Sequence, residues 1–509
     1  MDNSLVNALD GLGLEDETEP QTSQIGEIVW SQKQLDVFEF VQNGSGNAVV
    51  EAVAGSGKTT TILEALKYTD PNIRVAFVAF NKRIADELRD RSPDHVHVST
   101  LHSLGLKNIK QTFQHAKVDK NKMWKLFDEY SNTQPWKSRE SLKDNGGLIL
   151  RLVSLLKAVL LEPTSTNMDY IADRYNLVLN GQSDLIYKAA AKLWSMSLES
   201  IEDLIDFDDM IFAPAHGLVS CAKFDFLFVD EAQDLNKSQI QFVLNSVAED
   251  GRVVAVGDRF QSVYGFRGAD TDAIPNLIDA LDATTLPLTI TYRCPAQIVK
   301  LAQKLVPHLE AREDAPEGKI EAILPSQLAE LVEEGDLVIC RVNAPLVAPA
   351  FVLIRNGIKA IILGREIGTG LTNLINRVGK QNSSASVVEL LSHMSTYVSY
   401  ETTKLIAAKK NSRALSLEDQ FNTIVALADG CVEIKEIRAK IARVFADDRK
   451  GVTFSSIHKI KGGEAERVFI LEPSNMPHPM ATSDWERVQE QNILYVAYTR
   501  AKKELYFVE

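Results

Sequence analysis

The chain has 509 residues, too many for one hydrophobic core, so several domains of ordinary size are expected. Apolar residues make up 45% and charged residues 24%, as in globular proteins, and no apolar run approaches the roughly 18 residues of a membrane-spanning helix. The net charge of −14 argues against a uniformly basic surface but is compatible with a local basic groove.

Residues 1–29 form an acidic segment without Lys or Arg, and it accounts for half of the net charge. We interpret it as a disordered solvating tail, while the apolar spacing in "SLVNALDGLGL" leaves open a docking peptide for a protein partner. The acidic residues are Asp2, Asp10, Glu15, Asp16, Glu17, Glu19 and Glu27.

The four cysteines lie far apart and show no metal-ligand spacing, which predicts reduced thiols in a cytoplasmic protein. The N-terminus also lacks the basic and apolar regions of a secretory signal. The expected compartment is therefore the cytoplasm. The cysteines are Cys221, Cys294, Cys340 and Cys431.

Two series of short, nearly continuous apolar runs alternate with helical stretches, which predicts an α/β protein with two parallel sheets. The first series covers residues 47–53, 73–80, 95–100, 224–230 and 252–258. The second covers residues 319–324, 336–341, 358–364, 452–458, 467–471 and 504–508.

A polar, helical stretch interrupts each series, which predicts an inserted helical subdomain in each half of the chain. The first sheet domain is expected at 30–106 and 201–290, with its insertion at 107–200. The second is expected at 291–369 and 450–509, with a shorter insertion at 370–449.

The segment "AVAGSGKT" (52–59) matches a phosphate-binding loop, except that Ala52 replaces the first glycine. It follows a strand and opens a helix, so backbone N–H groups and the helix N-terminus would surround the phosphates of ATP. Lys58 would reach the β- and γ-phosphates, and the Thr59 hydroxyl would bind Mg²⁺. The predicted contacts are Ala54, Gly55, Ser56, Gly57, Lys58, Thr59 and Thr60.

The segment "FDFLFVDEAQD" supplies the acidic partner that such a loop requires. Asp230 ends an apolar strand, where it would hold Mg²⁺ through a water molecule. Glu231 would orient and deprotonate the attacking water.

Several further motifs follow in one order: "VGDRFQSVYGFRGA" (256–269), "TYRCP" (291–295), "HKIKGGE" (458–464) and "LYVAYTRAKKEL" (494–505). Together with the phosphate-binding loop and the acidic motif after it, these motifs resemble those of superfamily 1 DNA helicases of the UvrD/Rep/PcrA type. The resemblance covers residues from about 30 to 508 and implies two RecA-like domains in tandem that hydrolyse ATP.

The resemblance also implies roles for residues outside the phosphate loop. Gln34 would bind the adenine edge and Tyr292 would stack on the adenine face. Arg293 and Arg500 would contact the γ-phosphate from the second sheet, as arginine fingers do. Gln261 is similar to a γ-phosphate sensor, and Glu464 to a carboxylate that meets the ribose.

Aromatic and polar residues near strand ends or loops predict a track for single-stranded nucleic acid, because bases stack on such side chains. Core packing is the alternative for each isolated aromatic. Tyr264 and Phe266 alternate with glycine, which favours exposure, and Arg267 would bridge a phosphate to the acidic motif. The predicted track consists of Phe80, Asn81, His102, Phe207, Tyr264, Phe266, Arg267 and His458.

The segment 106–127 is basic, with three aromatics interleaved, which suits contact with a DNA backbone. An amphipathic helix with Trp124 in its own small core fits the pattern about as well. The residues concerned are Lys107, Lys110, Lys117, Lys120, Lys122, Lys125, Phe113, Trp124 and Phe127, against the single acid Asp119.

The chain departs from the family pattern in two places. Its second insertion is short, and it ends at Glu509, where relatives continue into a strand-separating hairpin. The loop 472–488 with Trp485 is a candidate substitute. Translocation is therefore better supported than efficient unwinding.

Two functions remain open. The first is an ATP-driven translocase and helicase, expected to move 3′→5′ on single-stranded DNA and to act at single-strand/duplex junctions as a monomer. The second is a remodeller that binds single strands, is recruited through residues 1–29 and displaces proteins with little unwinding. Stacking does not exclude RNA as the track, since only contacts at the 2′-OH would distinguish it.

Overall fold

A computed structural model describes residues 29–175, 177, 179, 181–263, 272–381, 386–407, 411–446, 451–479, 481 and 484–509. The predicted acidic tail lies outside these residues, apart from Val29. None of the described helices is long and apolar enough to cross a lipid bilayer.

The first lobe is built on a six-stranded parallel sheet with the strand order β3-β2-β6-β7-β1-β8. Its central strands are buried on both faces, which explains their continuous apolar sequences. The strands are β1 (Ala48–Ala52), β2 (Val75–Ala79), β3 (Val96–Thr100), β6 (Phe224–Val229), β7 (Val247–Gly257) and β8 (Thr284–Leu288).

Helices cover both faces of this sheet, and the hydrophobic core is split into one cluster on each side. The helices are α1 (Gln32–Asn43), α2 (Lys58–Ala65), α3 (Lys82–Arg91), α4 (Leu101–Thr112), α9 (Phe207–His216), α10 (Lys237–Asn245) and α11 (Ala273–Leu281).

A first helical insertion lies between α4 and α9, and we use this name for its four helices. A pair of two-residue parallel strands, β4 (Lys117–Val118) and β5 (Leu204–Ile205), closes its base. The helices are α5 (Lys122–Asn132), α6 (Trp136–Ala158), α7 (Ser165–Arg174) and α8 (Ser183–Glu199).

The second lobe is built on a seven-stranded parallel sheet with the order β11-β17-β16-β12-β15-β13-β14. A short parallel pair, β9 (Ile290–Thr291) and β10 (Glu310–Ala311), lies between the two sheets in sequence. The strands are β11 (Lys319–Ile323), β12 (Leu337–Cys340), β13 (Ala360–Leu363), β14 (Phe445–Ala446), β15 (Val452–Ser456), β16 (Ala465–Leu471) and β17 (Ala501–Val508).

Helices also cover this second sheet, and four of them form a second helical insertion between β13 and β14. Those four are α15 (Arg365–Gln381), α16 (Val387–Ala407), α17 (Asn411–Ala428) and α18 (Ile434–Val444). The remaining helices are α12 (Ala296–Ala302), α13 (Leu328–Leu331), α14 (Ala344–Arg355) and α19 (Asp484–Tyr498).

The predicted α/β class with two parallel sheets is confirmed, and the apolar runs of both series are strands. Two edge strands were missed, β8 and β14. The sequence of β8, "TTLPL", has no continuous apolar run, and only its last residue, Leu288, is buried. Because all strands of a sheet are parallel, the loops after their carboxyl ends meet at one edge, where both lobes carry their motifs.

Candidate nucleotide site and nucleic-acid interface

The phosphate loop runs from the end of β1 to the first residue of α2. Gly55 and Gly57 have φ values of +74° and +76°, in the left-handed region that favours glycine. A Cβ atom at Gly55 would lie 2.5 Å from Cβ of Arg293 and 2.6 Å from Oγ1 of Thr291. The glycine therefore permits both the turn and the close approach of the second lobe.

The loop retains polar groups that fit an anionic ligand. The Oγ atom of Ser56 is buried and has no hydrogen-bond partner among the residues that the structure describes. Lys58 is the first residue of α2, and its Nζ atom lies 3.8 Å from Oε1 of Glu231. A lysine and a free helix N-terminus beside an unpaired hydroxyl are suited to the phosphates of a nucleotide.

Ala54 departs from the predicted phosphate contacts. Its backbone N–H donates to the hydroxyl of Tyr495, at 2.9 Å, and both residues are buried. Phosphate binding by backbone amides would therefore fall to the later loop residues.

Asp230 and Glu231 follow β6 directly and face the phosphate loop across the end of β7, which lies between β6 and β1 in the sheet. Burial, and then the charge of Glu231, raise the pKa of Asp230 to about 7. Partial burial opposes ionisation of Glu231, but Lys58 and Lys461 outweigh it and lower its pKa to about 2. Glu231 is therefore a carboxylate at neutral pH and is able to accept a hydrogen bond from water.

The described residues contain no group of three or more His, Cys, Asp or Glu side chains that could hold a metal ion by themselves. Thr59 and Asp230 supply a hydroxyl and a carboxylate, the oxygen ligands that Mg²⁺ prefers together with phosphate oxygens. The residues present thus fit a Mg²⁺ ion that arrives with a nucleotide.

The predicted adenine residues lie together. The Oε1 atom of Gln34 accepts hydrogen bonds from the Ser31 N–H and from the Tyr292 hydroxyl, both at 3.1 Å. Its Nε2 atom donates to Oγ1 of Thr61 at 2.9 Å. Tyr292 is 37% exposed, and its own N–H donates to the carbonyl of Gly55 at 2.8 Å. An aromatic face and an amide therefore flank the start of the phosphate loop.

Two arginines of the predicted γ-phosphate contacts lie at the boundary between the lobes. Arg500 is only 1% exposed, and its Nη2 atom donates to Oε1 of Gln261 at 3.2 Å. Burial lowers its pKa to about 10, so it remains a cation at neutral pH. Arg293 has a buried Nε atom without a hydrogen-bond partner in the described part of the chain.

Glu464 pairs with cations instead of lying free. Its Oε2 atom is 2.6 Å from Nη2 of Arg293, and its Oε1 atom is 2.6 Å from Nζ of Lys502. Partial burial opposes ionisation, but Lys502 and Arg293 lower the pKa of Glu464 below its ordinary value. This carboxylate therefore holds Arg293 in the cleft.

Three residues of the site were missed by the sequence analysis although they lie in the quoted motifs. Lys461 donates from the second lobe to both carboxylate oxygens of Asp234, at 2.7 and 2.6 Å. Asp258 accepts from Nε2 of Gln261 at 2.6 Å and orients it. Tyr495 contacts the phosphate loop, as described above. The sequence signal that could have identified Lys461 is its positive charge within the motif 458–464, three residues before Glu464.

The predicted nucleic-acid track begins at the carboxyl edge of the first sheet. Phe80 follows β2 and is partly exposed, while Asn81 caps α3 by accepting from the Ile84 N–H at 3.0 Å. Phe207 is 55% exposed, and its ring lies 6.1 Å from the ring of His102, edge to face. Exposed rings at this edge are available for stacking.

The remaining track residues are placed differently. Tyr264, Phe266 and Arg267 lie outside the described residues. His458 follows β15 at the carboxyl edge of the second sheet and is partly buried.

Two residues of the basic segment are buried, so they are not available to contact a DNA backbone. Lys122 is fully buried and its Nζ atom lies 2.7 Å from Oδ2 of Asp209. Phe127 is buried in the core of the first helical insertion. Trp124 is 48% exposed and packs edge to face on Phe127. Lys107, Lys117, Lys120 and Lys125 are exposed as well.

The candidate wedge residue Trp485 lies in the first turn of α19 rather than in a loop. It is partly buried. Its position on a helix of the second lobe does not resemble an extended hairpin.

Two family models match the chain. Residues 31–282 match the UvrD/REP helicase N-terminal domain, and residues 451–508 match the UvrD-like helicase C-terminal domain. Together they include the phosphate loop, the acidic pair and Arg500, whereas Arg293 lies between the two matched ranges.

Curated relatives match about half of the chain. The ATP-dependent DNA helicase Rep of Buchnera aphidicola subsp. Schizaphis graminum is 28% identical over 297 residues, covering 52% of this chain and 42% of that protein. Rep of Escherichia coli strain K12 is 28% identical over 306 residues, covering 54% and 43%. The ATP-dependent DNA helicase PcrA of Bacillus subtilis strain 168 is 25% identical over 293 residues, covering 53% and 38%. The chain thus spans less than half the length of these relatives.

Proposed function

The chain belongs to the UvrD/Rep helicase family, and from that premise we propose that it is an ATP-driven translocase on single-stranded DNA that also opens duplexes. The observation that carries the proposal is the shared site. The phosphate loop and Gln261 belong to the first lobe, whereas Arg293 and Arg500 reach them from the second. A nucleotide bound in this cleft would change the relative position of the two lobes, and with it their contacts to a single strand of DNA.

The chemistry assigns a separate task to each side chain. Lys58 would neutralise the β- and γ-phosphates, and Mg²⁺ held by Thr59 and Asp230 would offset charge on the same oxygens. Glu231, ionised at neutral pH, would orient the attacking water and accept its proton. Arg293 and Arg500 would stabilise the charge that develops on the transferred phosphoryl group.

Closure of the cleft would depend on the γ-phosphate. Arg500 already bonds Gln261 across the lobes, so the γ-phosphate would add an anion between groups that are near each other. After hydrolysis the attraction weakens and the lobes separate. Alternation between these two states would move the track residues along a strand.

The exposed rings of Phe80 and Phe207 support the assignment of single-stranded nucleic acid as the track. Stacking on such rings contributes about 1–3 kcal/mol per base and tolerates any sequence. We assign DNA rather than RNA because the relatives are named DNA helicases. Movement in the 3′→5′ direction and monomeric action are part of the proposal.

The test is the ATPase rate with and without a thymidine oligonucleotide, measured beside strand displacement on duplexes with a 3′ or a 5′ tail. Stimulated hydrolysis with opening only from the 3′ tail is the expected result. Stimulation without opening on either tail would favour the remodeller. Absence of stimulation would contradict the nucleic-acid track.

The Lys58→Ala variant assigns the activity to the phosphate loop. We expect it to lower kcat by about 100-fold or more, because a charge-assisted contact to the transferred phosphate is lost. The matched control is Lys67→Ala, which removes an exposed lysine paired with Glu64 near the end of the same helical segment. Equal rates in the two variants would mean that another protein in the preparation hydrolyses ATP.

A further inference from the structure

A cluster of buried charges lies at the start of α9, within the same helical turn as the exposed residue Phe207. Both carboxylate oxygens of Asp209 bind ammonium groups of the first helical insertion. Oδ2 is 2.7 Å from Nζ of Lys122, and Oδ1 is 2.7 Å from Nζ of Lys157. All three charged side chains are at most 2% exposed. We call Lys122, Lys157, Asp209 and their neighbour Ser197 the α9 charge cluster.

Ser197 brings a third inserted helix, α8, to the cluster. Its carbonyl accepts from Nζ of Lys122 at 2.8 Å, and its hydroxyl accepts from Nζ of Lys157 at 2.7 Å. Lys122 belongs to α5 and Lys157 to α6. Three helices of the insertion therefore meet at one carboxylate of the first lobe, and charge-assisted hydrogen bonds fix its distance and its orientation.

The same carboxylate closes the first turn of α9. Oδ2 of Asp209 accepts from the Asp206 N–H, and the Asp209 N–H donates to Oδ1 of Asp206, both at 3.0 Å. This capping box spans residues 206–209, and Phe207 lies inside it. Because one oxygen serves both Lys122 and the box, the insertion and the backbone on either side of Phe207 are held together.

The other support of α9 comes from the first lobe. A Cβ atom at Gly105 of α4 would lie 1.7 Å from the carbonyl oxygen of Met210, so α4 and α9 are in direct contact there. His102 also belongs to α4, and its ring is 6.1 Å from the ring of Phe207. The turn that carries Phe207 is therefore held between the first lobe and the insertion, while the ring itself is 55% exposed.

We propose that the α9 charge cluster positions Phe207 for a base of single-stranded DNA, so that the first helical insertion sets the affinity for the strand through buried residues that do not touch it. Lys122, Lys157 and Asp209 are positioning residues in this scheme, and Phe207 is the group that binds. The inference rests on the proposed function, which supplies the strand.

Apolar packing also joins α9 to the insertion, but farther along the helix. Phe212 packs on Trp194 with ring centroids 5.1 Å apart, five residues after Phe207. Apolar contacts of this kind are not directional, whereas hydrogen bonds weaken steeply as their angle changes. Loss of one ammonium group would therefore let the Asp209 carboxylate turn toward the remaining lysine and loosen the box around Phe207, while α9 stays packed.

The test is the Kd of the full chain for a fluorescein-labelled thymidine oligonucleotide, measured by fluorescence anisotropy. Lys122→Met keeps the length of the side chain and leaves Asp209 paired with Lys157, so the remaining buried charges are balanced. We expect Kd to rise about tenfold, within the usual coupling of residues in one hydrogen-bonded network, and the ATPase rate without DNA to stay unchanged. The control Lys188→Met removes the same charge at an exposed position of α8 and should bind as the wild type does.

A double-mutant cycle with Phe207→Ala separates positioning from any other loss of binding. Phe207→Ala alone should raise Kd about tenfold, through the loss of one stacked base. Adding Lys122→Met should raise Kd no further, because the ring that Lys122 positions is gone. If the effects of the two substitutions multiplied, Lys122 would act on binding independently of Phe207, and the proposal would be overturned.

Ser197→Ala is a second, milder variant that keeps both ammonium groups and tests the proposal even where Lys122→Met does not fold. It removes the hydroxyl that accepts from Lys157. We expect Kd to rise about threefold in the wild-type background and to stay unchanged in the Phe207→Ala background. An unchanged Kd in both backgrounds would overturn the proposal.

The binding curves distinguish positioning from damage to the fold and from failure of the proposed function. Partial unfolding would lower the fraction of chains that bind and leave the Kd of the others unchanged, which would overturn the positioning role. A wild type that binds the oligonucleotide, with cluster variants equal to it, would overturn the positioning role alone. A wild type that binds no oligonucleotide would overturn the proposed function and the positioning role with it.

Discussion

The two helical insertions are attached to their lobes in opposite ways. The first has a compact core of its own, which takes in Phe212 of α9, and it also meets the first lobe through buried charges. The second shares one apolar core with its sheet. The difference indicates which insertion can change its position as a separate body.

In the first insertion, Asp209 at the start of α9 binds two lysines of the inserted helices. Its Oδ2 atom lies 2.7 Å from Nζ of Lys122, and its Oδ1 atom lies 2.7 Å from Nζ of Lys157. The same carboxylate accepts from the Asp206 N–H at 3.0 Å. The helix that begins with Phe207 is therefore fixed to the insertion by buried charges, and its Phe212 also packs against Trp194 in the core of the insertion.

In the second insertion, residues of all four helices pack in the same cluster as residues of the second sheet. Ile375 of α15 belongs to the same cluster as Val338 of β12 and Phe454 of β15. Asp419 of α17 accepts from the backbone N–H groups of Asn343 and Ala344 at the start of α14, at 2.9 and 2.8 Å. Apolar continuity of this kind binds an insertion along its whole length, so we expect it to move with the sheet.

Breaking the charge contact should have the largest effect. We expect Asp209→Asn to destabilise the first lobe by about 3–5 kcal/mol, because two buried ammonium groups lose their counter-charge. Urea unfolding with limited proteolysis of residues 122–199 measures it. Asp208→Asn is the control, since Asp208 is exposed on the same helix. If the two variants were equally stable, the buried charges would not hold this insertion.

Removing an apolar contact between the second helical insertion and its sheet should cost a comparable or smaller free energy of unfolding, and the loss should fall on the second lobe. We expect Ile375→Ala to cost about 2–5 kcal/mol, the usual range for a buried Ile replaced by Ala. The second sheet and its insertion should still unfold in one transition, detected by hydrogen exchange in β12, β15 and α15. Ile406→Ala, at an exposed position of α16, should be neutral. Separate unfolding of the insertion would contradict the shared core.

A pH titration sharpens the comparison, because only the first insertion should respond through Asp206. Burial, and then the charge of Asp209, raise the pKa of Asp206 from 3.8 to about 6. The ionised form is therefore less favourable in the folded chain than in the unfolded chain. The cost is absent below about pH 4, where both states are protonated, and complete above about pH 6.

Asp206→Asn should consequently raise the stability at pH 8 by up to about 3 kcal/mol, and the gain should vanish near pH 4. Asparagine also preserves the N-cap of α9. Urea midpoints across this range measure the difference, with Glu202→Gln as an exposed control. A gain that is independent of pH would show that ionisation of Asp206 is not its source.

Local sequence determined a large part of the architecture and of the site. The glycines and lysine at 55–58, the acidic pair after β6 and the apolar runs of the central strands each depend on neighbours in sequence. Buried parallel strands must be apolar on both faces, and a phosphate loop needs positive φ at fixed positions. These constraints act over a few residues, so they are visible without a structure.

Tertiary structure alone decided which of several residues of the same type are buried and which contact the site. Nothing in the segment 106–127 distinguishes Lys122 from its neighbours, yet it is buried against Asp209, 87 residues away. Tyr495 and Ala54 are 441 residues apart, and their hydrogen bond exists only because the two lobes meet. The sequence by itself determined the strands of the two large sheets other than β8 and β14, the phosphate loop and the acidic pair. The packing of the lobes decided the buried charges, the contact of Tyr495 with the phosphate loop and the attachment of the insertions, because such contacts depend on distant residues that local patterns do not encode.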